Sequence, residues 1–243
     1  MSHRPIAIFD FDGTLTRCDS LLPFLRQAQP VILFWLRLPF YLAMWMCYKL
    51  RLAPADRTKA AILSTVLKGK REVECRAMGQ RFVPAIESLL RPEALRCLEW
   101  HRSEGHRLVL LTASLLPCVE PWAEKTGFHT VIATLPEIKS GILTGRFEGN
   151  NCKGKEKIHR LDRALPHWRD SISYGYGDSP SDAPCLASAH IPTIEDSLLY
   201  SLPPRPYRLE IVDSSVSRWV PIFLPDHKPP SEQKLQLSIG ISP

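Results

Sequence analysis

The chain has 243 residues, 44% of them hydrophobic and 23% charged, and carries a formal net charge of +6. That length suffices for one domain of about 150 residues plus an insertion, and the composition excludes a disordered chain. The 7 cysteines are odd in number and scattered without a CxxC pair, which argues against a disulfide framework or zinc site and for reduced thiols in a cytoplasmic setting. None of the 8 histidines has ligand spacing with a second. Met1 to Pro5 is too short and polar to hold a targeting segment, so none is expected.

The first predicted element is Ile6 to Phe9, a short apolar run that reads as a buried strand and ends by presenting Asp10 and Asp12. Two like charges at the end of an apolar strand repel each other, and a cation, a proton or chemistry must compensate. Gly13 allows a sharp turn with free N–H groups and Thr14 adds a hydroxyl, so an anion could be cradled beside the carboxylates.

From Leu21 to about Pro84 the pattern is helical, and residues 18–84 form the expected insertion. Within it Val31 to Tyr48 is almost wholly apolar, interrupted only by Arg37 and Pro39, which predict two shorter pieces meeting at a bend. Three readings of this run stand: the packed core of the insertion, a hairpin embedded in a membrane surface, or a membrane span. Trp35, Trp45, Lys49 and Arg51 suit interfacial anchors in the second. Residues 1–90 hold 13 Lys+Arg against 7 Asp+Glu, and the remainder balances at 18 each, so the whole basic excess lies here. A solvated helical face accounts for it, as does attraction to an anionic substrate or an anionic membrane surface; no nucleic-acid partner is expected. Ala55 to Leu67 and Glu72 to Leu90 are predicted helices broken at Gly69.

Beyond Pro92 strands and helices alternate. Helix Pro92–Glu104 leads to strand Arg107–Leu111, which ends in Thr112, Ala113 and Ser114; Ser114 suits a helix N-cap or a phosphate contact. Strand His129–Ala133, a hairpin arm at Ile142–Phe147, a basic loop Asn150–Lys157 entering a helix, and strand Ile172–Tyr176 running into Gly177-Asp178-Ser179-Pro180-Ser181-Asp182 follow. His190–Ile194 is a candidate fifth strand and Tyr207–Val212 a candidate edge strand; Pro225–Pro243 reads as a loose tail. The alternation indicates an α/β fold, a mainly parallel sheet with helices on both faces and chemistry at the strand ends. The domains are then a core of residues 1–17 and 85–215, a helical cap of 18–84, and a tail of 216–243.

The motifs DFDGT, LLTAS, a lysine and GDSPSD, in that order over residues 6–187, resemble those of the haloacid dehalogenase-like superfamily. The insertion after the first motif and the wording NCKGKEK resemble the subfamily IB enzymes similar to phosphoserine phosphatase. The resemblance implies a Rossmann-like core with an inserted helical cap, and a Mg²⁺-dependent phosphatase that hydrolyses a phosphate monoester through an aspartyl-phosphate intermediate. It implies that Asp10 is the nucleophile and Asp12 the general acid and base. Thr112, with Gly13 and Thr14, would hold the phosphate, and Lys157 would stabilise charge on nucleophile and phosphoryl group. Asp10, Asp12 and Asp178 would hold the Mg²⁺, Asp12 through its backbone carbonyl, and Asp182 would support the site from behind or cap the following helix. Lys153 and Lys155 compete with Lys157, but the resemblance favours Lys157, because the family's pattern of Gly, two residues and then Lys fits Gly154 to Lys157.

The substrate would be chosen by the cap. Phosphoserine phosphatases place an acidic pair after the first motif, whereas this chain has Arg17, Cys18 and Asp19, of which only Asp19 could serve. A lipid or amphiphilic phosphate is the first expectation, with peripheral contact at the inner face of a membrane; a small soluble phosphate is the alternative. A non-catalytic scaffold of the same fold is the competing class, and it would be free to lose any of Asp10, Asp12, Thr112, Lys157 or Asp178; all five are here.

Overall fold

A computed structural model describes residues 4–194, 207–213 and 216–221. In chain order the elements are β1 (Ile6–Phe9), four helices α1 (Leu21–Gln27), α2 (Val31–Lys49), α3 (Ala55–Leu67) and α4 (Glu72–Leu89), then α5 (Pro92–Ser103), β2 (Arg107–Leu115), α6 (Leu116–Thr126), β3 (Thr130–Thr134), β4 (Pro136–Lys139), β5 (Ile142–Phe147), α7 (Lys155–Ala164), β6 (Ser173–Gly177), α8 (Ala183–Ser188) and β7 (Ile191–Ile194), followed by β8 (Tyr207–Asp213) and β9 (Val216–Pro221). The expected tail Pro225–Pro243 lies outside the described residues.

Five strands form one parallel sheet in the order β3-β2-β1-β6-β7, with Ile6 opposite both Arg107 and Ser173. All four β1 side chains are buried because both sheet faces are covered. Ala7 and Phe9 enter a core cluster shared with the helices of one face, while Ile6 and Ile8 join Val109, Leu111, Leu161 and Trp168 on the other. The strand order reverses around β1, which puts its carboxyl end at the crevice where open α/β sheets bind ligands. This is the predicted α/β architecture.

Several elements depart from expectation. Strand β2 continues to Leu115, and its register with β3 shifts between Leu111 and Leu115, so Thr112 sits inside an irregular strand end. Tyr207–Asp213 pairs antiparallel with β9 in a separate two-stranded sheet instead of extending the main one, and β9 occupies the start of the segment expected as tail. The boundary drawn after residue 84 falls within α4, whose helix continues through Pro84 to Leu89. Helix α2 is a single unbroken element with Pro39 inside it. Proline removes one backbone bond there, but it stands on the exposed side, where its ring displaces no packed neighbour.

Helices α1 to α4 lie between the two chain crossings of the cap. Those crossings pair with each other: Thr16 bridges Leu90 antiparallel, Arg17 N–H donates to the Leu89 carbonyl (2.8 Å) and Arg91 N–H to that of Leu15 (2.9 Å). A second attachment comes from the β4–β5 hairpin. Gly69 N–H donates to the Leu143 carbonyl (2.9 Å), Leu143 N–H to that of Lys70 (2.8 Å) and Glu72 N–H to that of Gly141 (3.0 Å). Gly145, at φ +85°, lets the hairpin press on α3, where a Cβ would come within 2.9 Å of the Ser64 Cβ.

Candidate active site

Asp10 follows the last residue of β1, its N–H donating to the Tyr176 carbonyl of β6 (2.9 Å), and only 8% of it is exposed. Phe11 then packs into the core against Trp122, so the two acids flank a buried anchor. The turn closes with the N–H groups of Leu15 and Thr16 donating to the Phe11 carbonyl. Gly13 takes φ +84°, and a Cβ there would lie 2.0 Å from Asp178 Oδ2, so glycine is what lets the Asp178 carboxylate approach this turn.

Lys157, on the first turn of α7, is buried. Its Nζ donates to Asp10 Oδ1 (2.6 Å) and to Asp182 Oδ1 (2.5 Å). Lys153 and Lys155 are exposed and make neither contact. Asp182 Oδ2 accepts from the Ser179 N–H (3.2 Å) and hydroxyl (2.7 Å). Asp182 occupies the N-cap position of α8 without a side-chain cap bond, because both its oxygens are held by Lys157 and Ser179. It therefore aims the ammonium.

Asp12 is held differently. Its Oδ1 accepts from the Ser20 N–H (2.8 Å) and its Oδ2 from the Ser114 hydroxyl. Ser114 is thus not the α6 N-cap, which is Leu115; its hydroxyl holds Asp12. Thr112, buried, accepts from the Ser114 N–H (2.9 Å). Of Gly13 and Thr14, expected at the phosphate, the Gly13 N–H donates to Thr16 Oγ1 (3.3 Å) and the Thr14 hydroxyl to Asp178 Oδ1 (3.4 Å), and neither lines the cavity.

A cavity of about 370 Å³ opens over this constellation. Asp10, Asp12, Thr112, Lys157 and Asp178 line it from the core, and Trp45, Tyr48, Lys49 and Lys59 from the cap. Lys59 Nζ also donates to the Ala113 carbonyl (3.0 Å), and Lys153 Nζ lies 5.8 Å from the centre of the Tyr48 ring. Asn151, buried and bonded to the Thr134 hydroxyl (2.7 Å), is a further lining residue, as is Asp19. The cap residues had no motif to mark them; only the folded chain brings them over the strand ends.

Carboxylate oxygens of Asp10, Asp178 and Asp182 lie within 4.8 Å of one another. Burial pushes the Asp10 carboxyl up to about 7; Lys157 pulls it back, and the charges of Asp182 and Asp12 add to the rise. Asp178 is raised by burial and then by Asp182. Burial alone would lower Lys157, but Asp10 and Asp182 outweigh it and hold the ammonium well above its usual range. Three carboxylates against one ammonium leave an excess of negative charge in a set of hard oxygen donors. That set fits a divalent cation such as Mg²⁺, with Asp10 and Asp178 as the side-chain ligands because Asp182 is already engaged.

Protein CicA of Caulobacter vibrioides is 36% identical over 207 residues, covering 78% of this chain and 85% of that one. Among solved structures, a protein of unknown function from Bordetella pertussis Tohama I superposes with TM-score 0.66 at 26% identity, covering 79% of this chain and 89% of the other. A phosphoserine phosphatase in a phospho-aspartyl intermediate analogue state matches with TM-score 0.55 at 17% identity over 79% and 85% of the two chains, and shares the fold. The family model for haloacid dehalogenase-like hydrolases matches residues 7–187, which hold the acidic turn after β1, Thr112, Lys157 and the Asp178 loop. The chain belongs to the haloacid dehalogenase-like hydrolase family.

Proposed function

We propose that the protein is a Mg²⁺-dependent phosphatase that hydrolyses a phosphate monoester through a phosphorylated Asp10, and that its substrate is amphiphilic, a lipid phosphate being the first choice. The observation that carries the reading is Lys157, whose Nζ joins Asp10 and Asp182 on the floor of a cavity also lined by Asp12, Thr112 and Asp178.

Asp10 attacks phosphorus through a carboxylate oxygen, and the bond from phosphorus to the leaving oxygen breaks. Asp12 gives that oxygen a proton, then takes one from the water that cleaves the aspartyl-phosphate and releases phosphate. The Ser114 hydroxyl can donate to Asp12 when it is ionised and accept from it when it is protonated, so it holds the carboxyl in place in both states. Lys157 offsets charge on Asp10 and the phosphoryl oxygens, and Thr112 offers its hydroxyl to one of them. A cation held by Asp10, Asp178 and the Asp12 backbone carbonyl would supply charge neutralisation at the phosphoryl group.

Trp45 and Tyr48 beside Lys49 and Lys59 in the cavity support a leaving group with both apolar and anionic character. Asp19 in the same cavity favours the second reading, a small soluble phosphate bearing an amine. The deciding measurement is phosphate release from a panel of soluble and lipid phosphate monoesters, with Mg²⁺ and after chelation, by the native chain and Asp10→Asn. We expect release to require Mg²⁺ and to vanish in D10N. Full activity of D10N would overturn the mechanism, and turnover confined to soluble phosphates would overturn the substrate class.

A further inference from the structure

Helix α2 is inverted relative to an ordinary surface helix. Its buried side chains are Phe34 and Tyr41, while Ile32 and Leu36 are 70% and 71% exposed. Its one charged side chain before the last residue turns inward, Arg37 Nη1 donating to Gln29 Oε1 (2.7 Å) and to the Thr65 carbonyl (2.8 Å). The Tyr41 hydroxyl also faces the cap, bonding Gln29 and Thr65 (both 3.0 Å). From Val31 to Tyr48 no charge is presented outward. Monomeric proteins rarely leave so large a contiguous apolar face to water.

We propose that this outward face docks on an anionic lipid monolayer, with α2 lying in the plane of the interface. Charge selects that occupant. Between Ser20 and Ala55 the chain has no Asp or Glu and four cations, of which Arg26, Lys49 and Arg51 are exposed near the ends of α2. A second copy of this chain would oppose like charges across the contact, whereas anionic headgroups complement them.

Topology excludes the other membrane arrangement. Val31–Lys49 is long and apolar enough to cross a bilayer. However, β1 precedes it and pairs in register with β2 and β6, which follow it, so one crossing would place hydrogen-bonded neighbours on opposite sides of the membrane. Among the described residues no second helix qualifies to bring the chain back. Lying in the interface satisfies both the apolar face and the intact sheet.

The docked helix leads to the site. Trp45, half exposed on α2, also lines the catalytic cavity, as do Tyr48 and Lys49 on its last turn. The apolar surface is therefore continuous with the space above Asp10. The docking deepens the amphiphilic-phosphate reading, and rests on it only for what the monolayer delivers to the cavity.

The test is flotation of the full chain with phosphatidylglycerol-rich vesicles and with pure phosphatidylcholine vesicles, at low and high salt. Light scattering of the vesicle-free protein and hydrolysis of soluble p-nitrophenyl phosphate are measured in parallel. Binding is expected on the anionic vesicles, at least about tenfold weaker on the neutral ones and at high salt. The double variant Ile32→Glu/Leu36→Glu should lose at least about tenfold in binding while keeping soluble turnover within about twofold, which shows that it is folded. Three results would overturn the proposal: native protein that stays unbound at low salt, variant binding equal to native, or a native dimer that this variant dissociates. Vesicle binding without hydrolysis of lipid phosphates would sink the substrate reading and leave the docking intact.

Discussion

Two regions of this molecule depart from the usual partition of charge and apolar surface, in opposite directions. At the end of β1, charged groups are buried in an otherwise apolar layer, and Lys157 and Asp182 are almost entirely enclosed. On α2, large apolar side chains are exposed and the one mid-helix charge, Arg37, is turned inward. The difference lies in how each departure is compensated. The strand-end charges are answered within the chain by Lys157, Ser179, Ser20 and Ser114, whereas nothing among the described residues answers the outer face of α2. A buried charge must be partnered at once or it prevents folding, but an exposed apolar face can wait for a second body.

The sharpest way to break the comparison is at the strand ends. Asp12→Asn keeps the shape but removes the proton carrier, and kcat should fall by roughly 10² to 10⁴-fold with the melting temperature little changed. An unchanged rate on p-nitrophenyl phosphate would remove Asp12 from proton transfer. Lys157→Met leaves the Asp10 and Asp182 carboxylates without their shared cation, and a loss of about 3–5 kcal/mol in urea unfolding is expected along with lost turnover. On α2 the two faces should separate cleanly. Phe34→Ala, from the buried side, should cost about 3 kcal/mol, while Leu36→Ala, from the outer side, should stay within about 0.5 kcal/mol; equal losses would mean that the outer face is packed in solution.

A smaller effect tests a third polar cluster that no motif marked. His101 is buried, its Nδ1 2.7 Å from His106 Nδ1 and its Nε2 2.8 Å from the Tyr176 hydroxyl. Burial, then His106, lowers its pKa to about 3. The unfolded chain takes up this proton below about pH 6.5, so the stabilising contribution is complete above that pH and falls as pH drops toward 3, by at most about 1.4 kcal/mol per unit. Thermal melts at about pH 7.5 and about pH 5.5 should therefore differ, and His101→Gln should narrow the gap.

Much of this was legible in the chain because local pattern and global role agree there. The strands β1, β2 and β6 are short apolar runs ending in polar residues, and a parallel sheet has its chemistry at those ends. Lys157 was separable from Lys153 and Lys155 only through the family's pattern of Gly, two residues and then Lys, and burial separates them again. Helix α2 was not legible in the same way. A segment apolar all round has no face that periodicity can assign to the interior, so the inward turn of Arg37 and Tyr41 emerges only once Gln29 and Thr65 are positioned in space. The pairing of Thr16 with Leu90 and the stitching of the β4–β5 hairpin to the α3–α4 turn join residues far apart in the chain, and nothing local signals either. The bonds of the Gly13 N–H to Thr16 and of the Thr14 hydroxyl to Asp178 were not legible either, because nothing local fixes which partner such donors take.

The way the cap is fastened has a mechanical consequence. The β4–β5 hairpin, itself continuous with β3 of the main sheet, holds the α3–α4 turn by three backbone bonds; α4 lies so close against α6 that a Cβ on Gly79 would come within 1.7 Å of the Pro117 carbonyl oxygen; and Lys59 donates to the Ala113 carbonyl. A lid fixed only where the chain crosses could swing about that crossing, but one fastened at this many separate places has no free axis. Widening the cavity for a bulky molecule must therefore bend the cap's own helices or break some of these contacts, and loosening one of them, such as the ribbon's bonds at Gly69 and Glu72, would change the size of molecule admitted without touching a single catalytic group.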